Sequence, residues 1–150
     1  MIRWATAADR VPLVHLMQAA HMGCSWYGYA DMDGLTVVDV DEATQALRGY
    51  VRFDLGRPEA HVRQLVVAPA HQGGGLVAKA LLARVIELAQ ANGVQGIEGF
   101  VPEGHAEWIS QLERAGAYID RGVRVRWPLT EAAGAEARRW REALRPSGPR

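Results

Sequence analysis

Leu65-Val66-Val67-Ala68-Pro69-Ala70-His71-Gln72-Gly73-Gly74-Gly75-Leu76-Val77 joins an apolar, strand-like run to a run with helical periodicity, and its reading decides the fold. Upstream, Ala60 to Val67 reads as a strand that ends at Ala68-Pro69, because proline cannot continue a sheet ladder. Downstream of Val77, the residues Leu81, Val85 and Leu88 fall on one helical stripe with Leu82, Ile86 and Ala89 beside them. This predicts a helix buried on a wide face and stopped at Asn92-Gly93. The glycines between strand and helix let backbone N–H groups come close to a ligand, and the helix start adds unpaired donors and the positive end of the dipole. That combination suits a pyrophosphate. A glycine-rich turn with no ligand is the alternative at this point, since short glycine motifs recur by chance.

Working outward, Ile2-Arg3-Trp4-Ala5 is apolar enough for a first strand. Thr6-Ala7-Ala8-Asp9 then has the spacing of a capping box, with Asp in place of the usual Glu, ahead of Leu13, Leu16, Met17 and Ala20. A helix over about 7–20 is expected. Met22 to Gly34, rich in Gly, Tyr, Trp and Asp, has no period and reads as a loop or irregular helix. Leu35 to Val40 and Ala46 to Asp54 read as strands, the second alternating Leu47, Gly49, Val51 and Phe53 against Arg48, Tyr50 and Arg52, with Asp41-Glu42-Ala43-Thr44 as the hairpin turn. Beyond the long helix, Gln95 to Val101 is strand-like, and Trp108, Ile109, Leu112 and Ala115 define a helix ended by Gly116. Asp120-Arg121-Gly122 turns the chain between short strands at 117–119 and 123–129, a helix follows over 131–144, and Arg145 to Arg150 is a frayed tail. The expected fold is α/β of the α+β type, with a mixed, mostly antiparallel central sheet of about seven strands flanked by helices.

Composition narrows the function classes. The 150 residues are 49% hydrophobic and 23% charged, the balance of one ordinary globular domain with a core. Seventeen basic against seventeen acidic residues leave no net field to draw in nucleic acid or anionic lipid. No apolar run approaches the roughly 18 residues of a membrane span, and the N-terminal residues lack the layout of a signal peptide, so a cytoplasmic location is expected. Cys24 is the one cysteine, and no short-spaced His and Cys pairs occur, so no metal site is expected.

With its context, the loop resembles the signature of the GNAT superfamily of N-acetyltransferases: a valine, a proline two residues on, Arg or Gln, then Gly-any-Gly and an aliphatic residue opening a helix. Val67, Pro69, Gln72-Gly73-Gly74-Gly75 and Leu76 occupy those positions. The order of elements covers nearly the whole chain in the family's sequence. The resemblance implies one acyl-CoA-binding domain over 1–130, followed by a C-terminal helix and tail over 131–150. It also implies acetyl-CoA as co-substrate, with the amides of Gln72, Gly73, Gly74, Gly75, Leu76 and Val77 on its pyrophosphate and Leu65, Val66 and Val67 lining the pantetheine arm. Val77 stands where the family has a small residue, and Ala78 follows, so the helix face fits better with one extra residue in the loop. In the family's later helix, Asn and Tyr are replaced by His105 and Leu112, so the tyrosine that commonly protonates the departing thiolate is absent.

Transfer to an amine needs a neutral amine, a polarised thioester carbonyl and a proton for the thiolate. The resemblance implies that Val66 or Val67 N–H polarises the carbonyl. Glu98 and His61 are the candidate bases, each with an ordinary strand-surface role as its alternative. His105 and Tyr118 are the candidate thiolate donors, His105 also contacting CoA, against a simple helix-start role and a packing role. Trp26, Tyr27 and Tyr29 would wall the acceptor pocket and Asp31 or Asp33 would attract a cationic amine, unless these aromatics only cover the core. The expected partner is a small-molecule or protein amine, with no nucleic acid and no membrane; a homodimer is left open. Two other readings stand beside this one: a catalytically silent GNAT-like module that binds acyl-CoA or a protein, and a dinucleotide-binding protein using Gly73 to Ala78 with Glu98 on the next strand.

Overall fold

The computed structural model describes residues 1–20, 35–100, 110, 112–114, 116–120 and 124–144. The strands are β1 (Ile2–Trp4), β2 (Leu35–Val40), β3 (Leu47–Asp54), β4 (Glu59–Val67), β5 (Gly96–Phe100), β6 (Tyr118–Asp120) and β7 (Arg124–Pro128). The helices are α1 (Arg10–Ala19), α2 (Leu76–Ala91) and α3 (Glu131–Leu144), and Leu112–Arg114 is helical as well. The chain divides into two compact units, one formed by Met1–Asp54 and Val62–Leu88, the other by Leu55–His61 and Ala89–Arg150. In the order β1-β2-β3-β4-β5-β7-β6, strand β4 gives its later residues to the first unit and Glu59–His61 to the second. β1 with β2, β2 with β3, β5 with β7 and β6 with β7 are antiparallel, while β4 and β5 are parallel, so the sheet is mixed and mostly antiparallel as expected.

In the first unit the entry to α1 follows from Thr6 and Asp9. The Asp9 carboxylate accepts the Thr6 N–H at 2.7 Å and the Thr6 hydroxyl at 3.1 Å, and Arg3 clamps it with two further bonds of 2.7 and 2.9 Å. A 3-10 turn over Ala7–Asp9 leads into the helix, whose Leu13 and Leu16 pack with Val38, Val40, Tyr50 and Val66. The hairpin between β2 and β3 turns on Asp41, whose carboxylate accepts the Ala43 and Thr44 N–H groups at 2.9 Å each.

β3 departs from simple alternation. Val51 and Phe53 are buried, but so are Tyr50 and Arg52. The reason is that the strand is covered on both faces: α1 lies over the side of Tyr50, and Val77 and Leu81 of α2 come against Gly49 on the other. Tyr50 keeps its hydroxyl satisfied by donating to Gln64 Oε1 at 2.9 Å.

In the second unit α2 finishes where expected, with Gly93 N–H donating to the Gln90 carbonyl and Val94 N–H to that of Ala89. β5 is one residue shorter at its start than the sequence suggests, and the strands expected at 117–119 and 123–129 stand at Tyr118–Asp120 and Arg124–Pro128. Ala117 and Val125 form a small buried cluster with Leu112 and Trp127 against it. Thr130 caps α3 by accepting the Ala133 N–H at 3.1 Å. The expected loop at 22–34, most of the helix around Trp108, the turn at Arg121-Gly122 and the tail after 144 lie outside the described residues.

Candidate functional site

Between β4 and α2 the chain makes a 3-10 turn at Pro69–His71 and then the glycine run. Gly73 and Gly75 have φ of +105° and +70°, values that residues with a side chain rarely adopt. A Cβ on Gly73 would meet nothing within 4 Å, so this glycine is required by backbone conformation and not by crowding. Gly75 is the helix cap, because the first helical bond runs from Lys79 N–H to its carbonyl at 2.9 Å. By helical geometry, the N–H groups of Gly75, Leu76, Val77 and Ala78 precede that bond and have no partner within α2. Four donors at the positive end of a sixteen-residue helix suit an anion of pyrophosphate type.

Two contacts hold the loop in place. Gln72 Nε2 donates to the Val67 carbonyl at 2.9 Å, tying the loop back to the end of β4. Ala68 N–H donates to the Arg48 carbonyl at 2.8 Å, fixing the point where the chain leaves the sheet. Leu76 is 77% exposed whereas Val77 is buried, so the aliphatic residue that packs inward is Val77, and Ala78 is the small residue after it. Val66 and Val67 are buried at the end of β4, and Leu65 is half-buried.

The second cluster is set by strand register. β4 and β5 pair at Glu59 with Gly96, Ala60 with Ile97 and His61 with Glu98. Glu98 is in turn opposite Arg126, and Arg126 opposite Tyr118. Residues directly paired across a sheet share a face, so His61, Glu98, Arg126 and Tyr118 form one row across four strands. Three of the four residues proposed from sequence for proton transfer are therefore brought together. Glu98 is 6% exposed and is not the solvent-facing strand carboxylate of its plainer reading, while His61 is exposed and Tyr118 half-buried.

The members the sequence did not single out are Arg126 and Glu59, joined by a partly buried ion pair. The register of β5 with β7 sets Arg126 opposite Glu98, a pairing that no spacing along the chain reveals. Trp26, Tyr27, Tyr29, Asp31, Asp33 and His105 lie outside the described residues. Among the described residues no group of three His, Cys, Asp or Glu is arranged to hold a metal, and no helix is long and apolar enough to cross a membrane.

Comparison with known proteins places this geometry. The family model described as the acetyltransferase (GNAT) family matches residues 3–106. No curated protein matches the sequence. Among solved structures, the ribosomal-protein-S18-alanine N-acetyltransferase of Escherichia coli aligns with a TM-score of 0.72 at 20% identity, covering 87% of this chain and 94% of that one. The PaiA N-acetyltransferase of Thermoplasma acidophilum, solved with coenzyme A, aligns at 0.67 and 13% identity over 85% of this chain and 98% of its own. YncA of Salmonella typhimurium, solved with its cofactor acetyl-CoA, aligns at 0.65 and 20% identity, covering 87% of this chain and 94% of its own.

Proposed function

The chain belongs to the acetyltransferase (GNAT) family, and from that premise we propose that it transfers the acetyl group of acetyl-CoA to an amine by direct attack in a ternary complex. The observation that carries this reading is the glycine loop, in which Gly73 and Gly75 adopt positive φ and the first four N–H groups of α2 precede any helical partner. Two of the similar structures were solved with coenzyme A or acetyl-CoA, which supports the same ligand class here.

In the proposed reaction the loop from Gln72 to Val77 holds the pyrophosphate, its donors extending to Ala78 N–H, and Leu65 to Val67 line the pantetheine arm. Val66 or Val67 N–H polarises the thioester carbonyl. Glu98 takes the proton from the amine, directly or through water, with His61 beside it in register as the second base. The amine nitrogen bonds to the carbonyl carbon, the carbon–sulfur bond breaks, and the thiolate takes a proton from His105, Tyr118 or water. Leu112 packs against the cluster of Ala117 and Val125 and has no proton to give, which favours one of these donors over the family's usual position. This same leucine is the reason to keep a silent acyl-CoA-binding module as the second reading. Trp26, Tyr27, Tyr29 and Asp31 are proposed to receive the acceptor, a small-molecule or protein amine, and the cytoplasm is the proposed compartment.

Calorimetric titration of the purified protein with acetyl-CoA, CoA and NADH tests the assignment, with Gly74→Asp as control. Gly74 is the right position because a Cβ there would meet only Leu76 Cγ at 4.0 Å, so the substitution adds negative charge without crowding. Saturable acetyl-CoA binding that the folded variant loses supports the site, and product from a panel of amines then separates the enzyme from the silent module. Preference for NADH, or no binding, would sink the acetyltransferase reading.

A further inference from the structure

Arg126 stands directly opposite Glu98 on the β5–β7 rung, yet its guanidinium is held by Glu59 on β4. Register shows how it gets there. Glu59, Gly96 and Pro128 form the row next to that of His61, Glu98, Arg126 and Tyr118, and Arg126 leaves its own row to reach the first member of the next. Gly96, between Glu59 and Pro128, has no side chain to obstruct the crossing, and a Cβ there would sit 2.9 Å from the Trp127 carbonyl oxygen. The pair is three-quarters buried, with side chains 26% and 22% exposed, so salt screens it less than a surface pair.

We infer that Glu59 is a positioning residue for Glu98: by holding the Arg126 guanidinium over Gly96, it keeps that charge from pairing with the carboxylate proposed as the base. The inference rests on the Glu98 reading of the proposed function. Directly opposed side chains on neighbouring strands have Cβ atoms about 4.5–5.5 Å apart, so an Arg126 released from Glu59 reaches Glu98 without moving the backbone. An opposite charge at about 4–6 Å favours the ionised carboxylate by roughly 1–3 pKa units, and a base so stabilised is a poorer proton acceptor. Among the described residues, His61 on β4 and Tyr118 on β6 are the other titratable members of this row, and Glu136 on α3 lines the same small cavity as Glu59 and Arg126. Neither His61 nor Tyr118 can supply the fixed positive charge that Arg126 carries at every working pH.

The test needs no acceptor. The full chain, labelled with carbon-13 at the Glu side-chain carboxyls, is titrated by NMR, and Glu98→Gln identifies the Glu98 resonance. Glu59→Gln should lower the Glu98 midpoint by about one pH unit or more. Adding Arg126→Gln to that variant should return the midpoint to the wild-type value or above. Glu59→Ala, checked for folding by circular dichroism, should behave as Glu59→Gln. An unchanged midpoint in the Glu59 variants, or a fall that persists when Arg126 is also replaced, would overturn the inference. The Glu98 reading fails separately, if Glu98→Gln transfers acetyl groups to a responsive amine at the wild-type rate.

Discussion

Gly49→Ala tests whether β3 sets the position of the glycine loop. A Cβ on Gly49 would lie 2.8 Å from the Val66 carbonyl oxygen, 2.8 Å from Val77 Cγ1 and 3.2 Å from Leu81 Cδ1. Unstrained carbon contacts fall at about 3.5–4.0 Å, so the added methyl is roughly 0.7 Å too close to Val77. The Val66 oxygen is backbone of the adjoining strand and cannot swing aside, while Val77 and Leu81 belong to the first turns of α2. Relief therefore comes from lifting the end of the helix that bears the unpaired N–H groups. Overpacking of this kind costs about 1–3 kcal/mol. Replacing a strand glycine returns about 0.5–1 kcal/mol of backbone entropy, leaving a net loss of about 1–2 kcal/mol. At roughly 2–4 °C per kcal/mol for a chain of this size, Tm should fall by about 2–8 °C. Urea unfolding of Gly49→Ala, Val77→Ala and the double variant measures the coupling. Trimming Val77 removes one of the two shortest contacts, so the costs should combine to less than their sum by about 0.5 kcal/mol or more. Coenzyme A affinity, measured by calorimetry, should fall in Gly49→Ala and recover partly in the double variant. Wild-type stability in Gly49→Ala, or costs that simply add, would refute the packing argument.

Two further outcomes are expected. The Asp9 carboxyl is held at about 2, below its ordinary 3.8, by its hydrogen bonds to Arg3 first and then to Thr6, against the opposing effect of burial. A carboxyl lowered in the folded state adds stability that is fully present above its unfolded pKa and is lost as pH falls through the folded value, here about 2 kcal/mol between roughly pH 5 and pH 1. Asp9→Asn should flatten that part of the curve of urea stability against pH, and an unchanged acid limb would count against the Arg3 clamp. Gln72→Ala removes the hydrogen bond to the Val67 carbonyl, worth about 0.5–1.5 kcal/mol, and should lower Tm by about 1–6 °C and weaken coenzyme A binding by up to about tenfold. Equal affinity for coenzyme A would show that the loop holds its shape without this tie.

The parts of this protein that were legible in its sequence are those fixed by local physics. Period and punctuation located β4, the glycine loop and α2, because proline, glycine and a helical apolar stripe act within a few residues of themselves. The capping role of Asp9 and the turn at Asp41 were readable for the same reason: each carboxylate bonds backbone N–H groups three residues away or fewer. Membership of the acetyltransferase family was legible too, since the loop motif and the element order both lie along the chain.

Register is what only the tertiary structure decided. That β3 is buried on both faces depends on α1 and α2 covering it from opposite sides, which no alternation within β3 can reveal. That Leu76 points outward and Val77 inward depends on where the helix cap falls relative to Gly49. Most of all, Glu98 and His61 were read from sequence as separate candidates, and the row that joins them to Arg126 and Tyr118 exists only once four strands are aligned. A slip of one residue in any of those pairings would turn a side chain to the other face, because the strand repeat is two residues. The sequence determines which groups the chain carries and which elements bear them. Long-range hydrogen bonding between strands determines which of those groups meet.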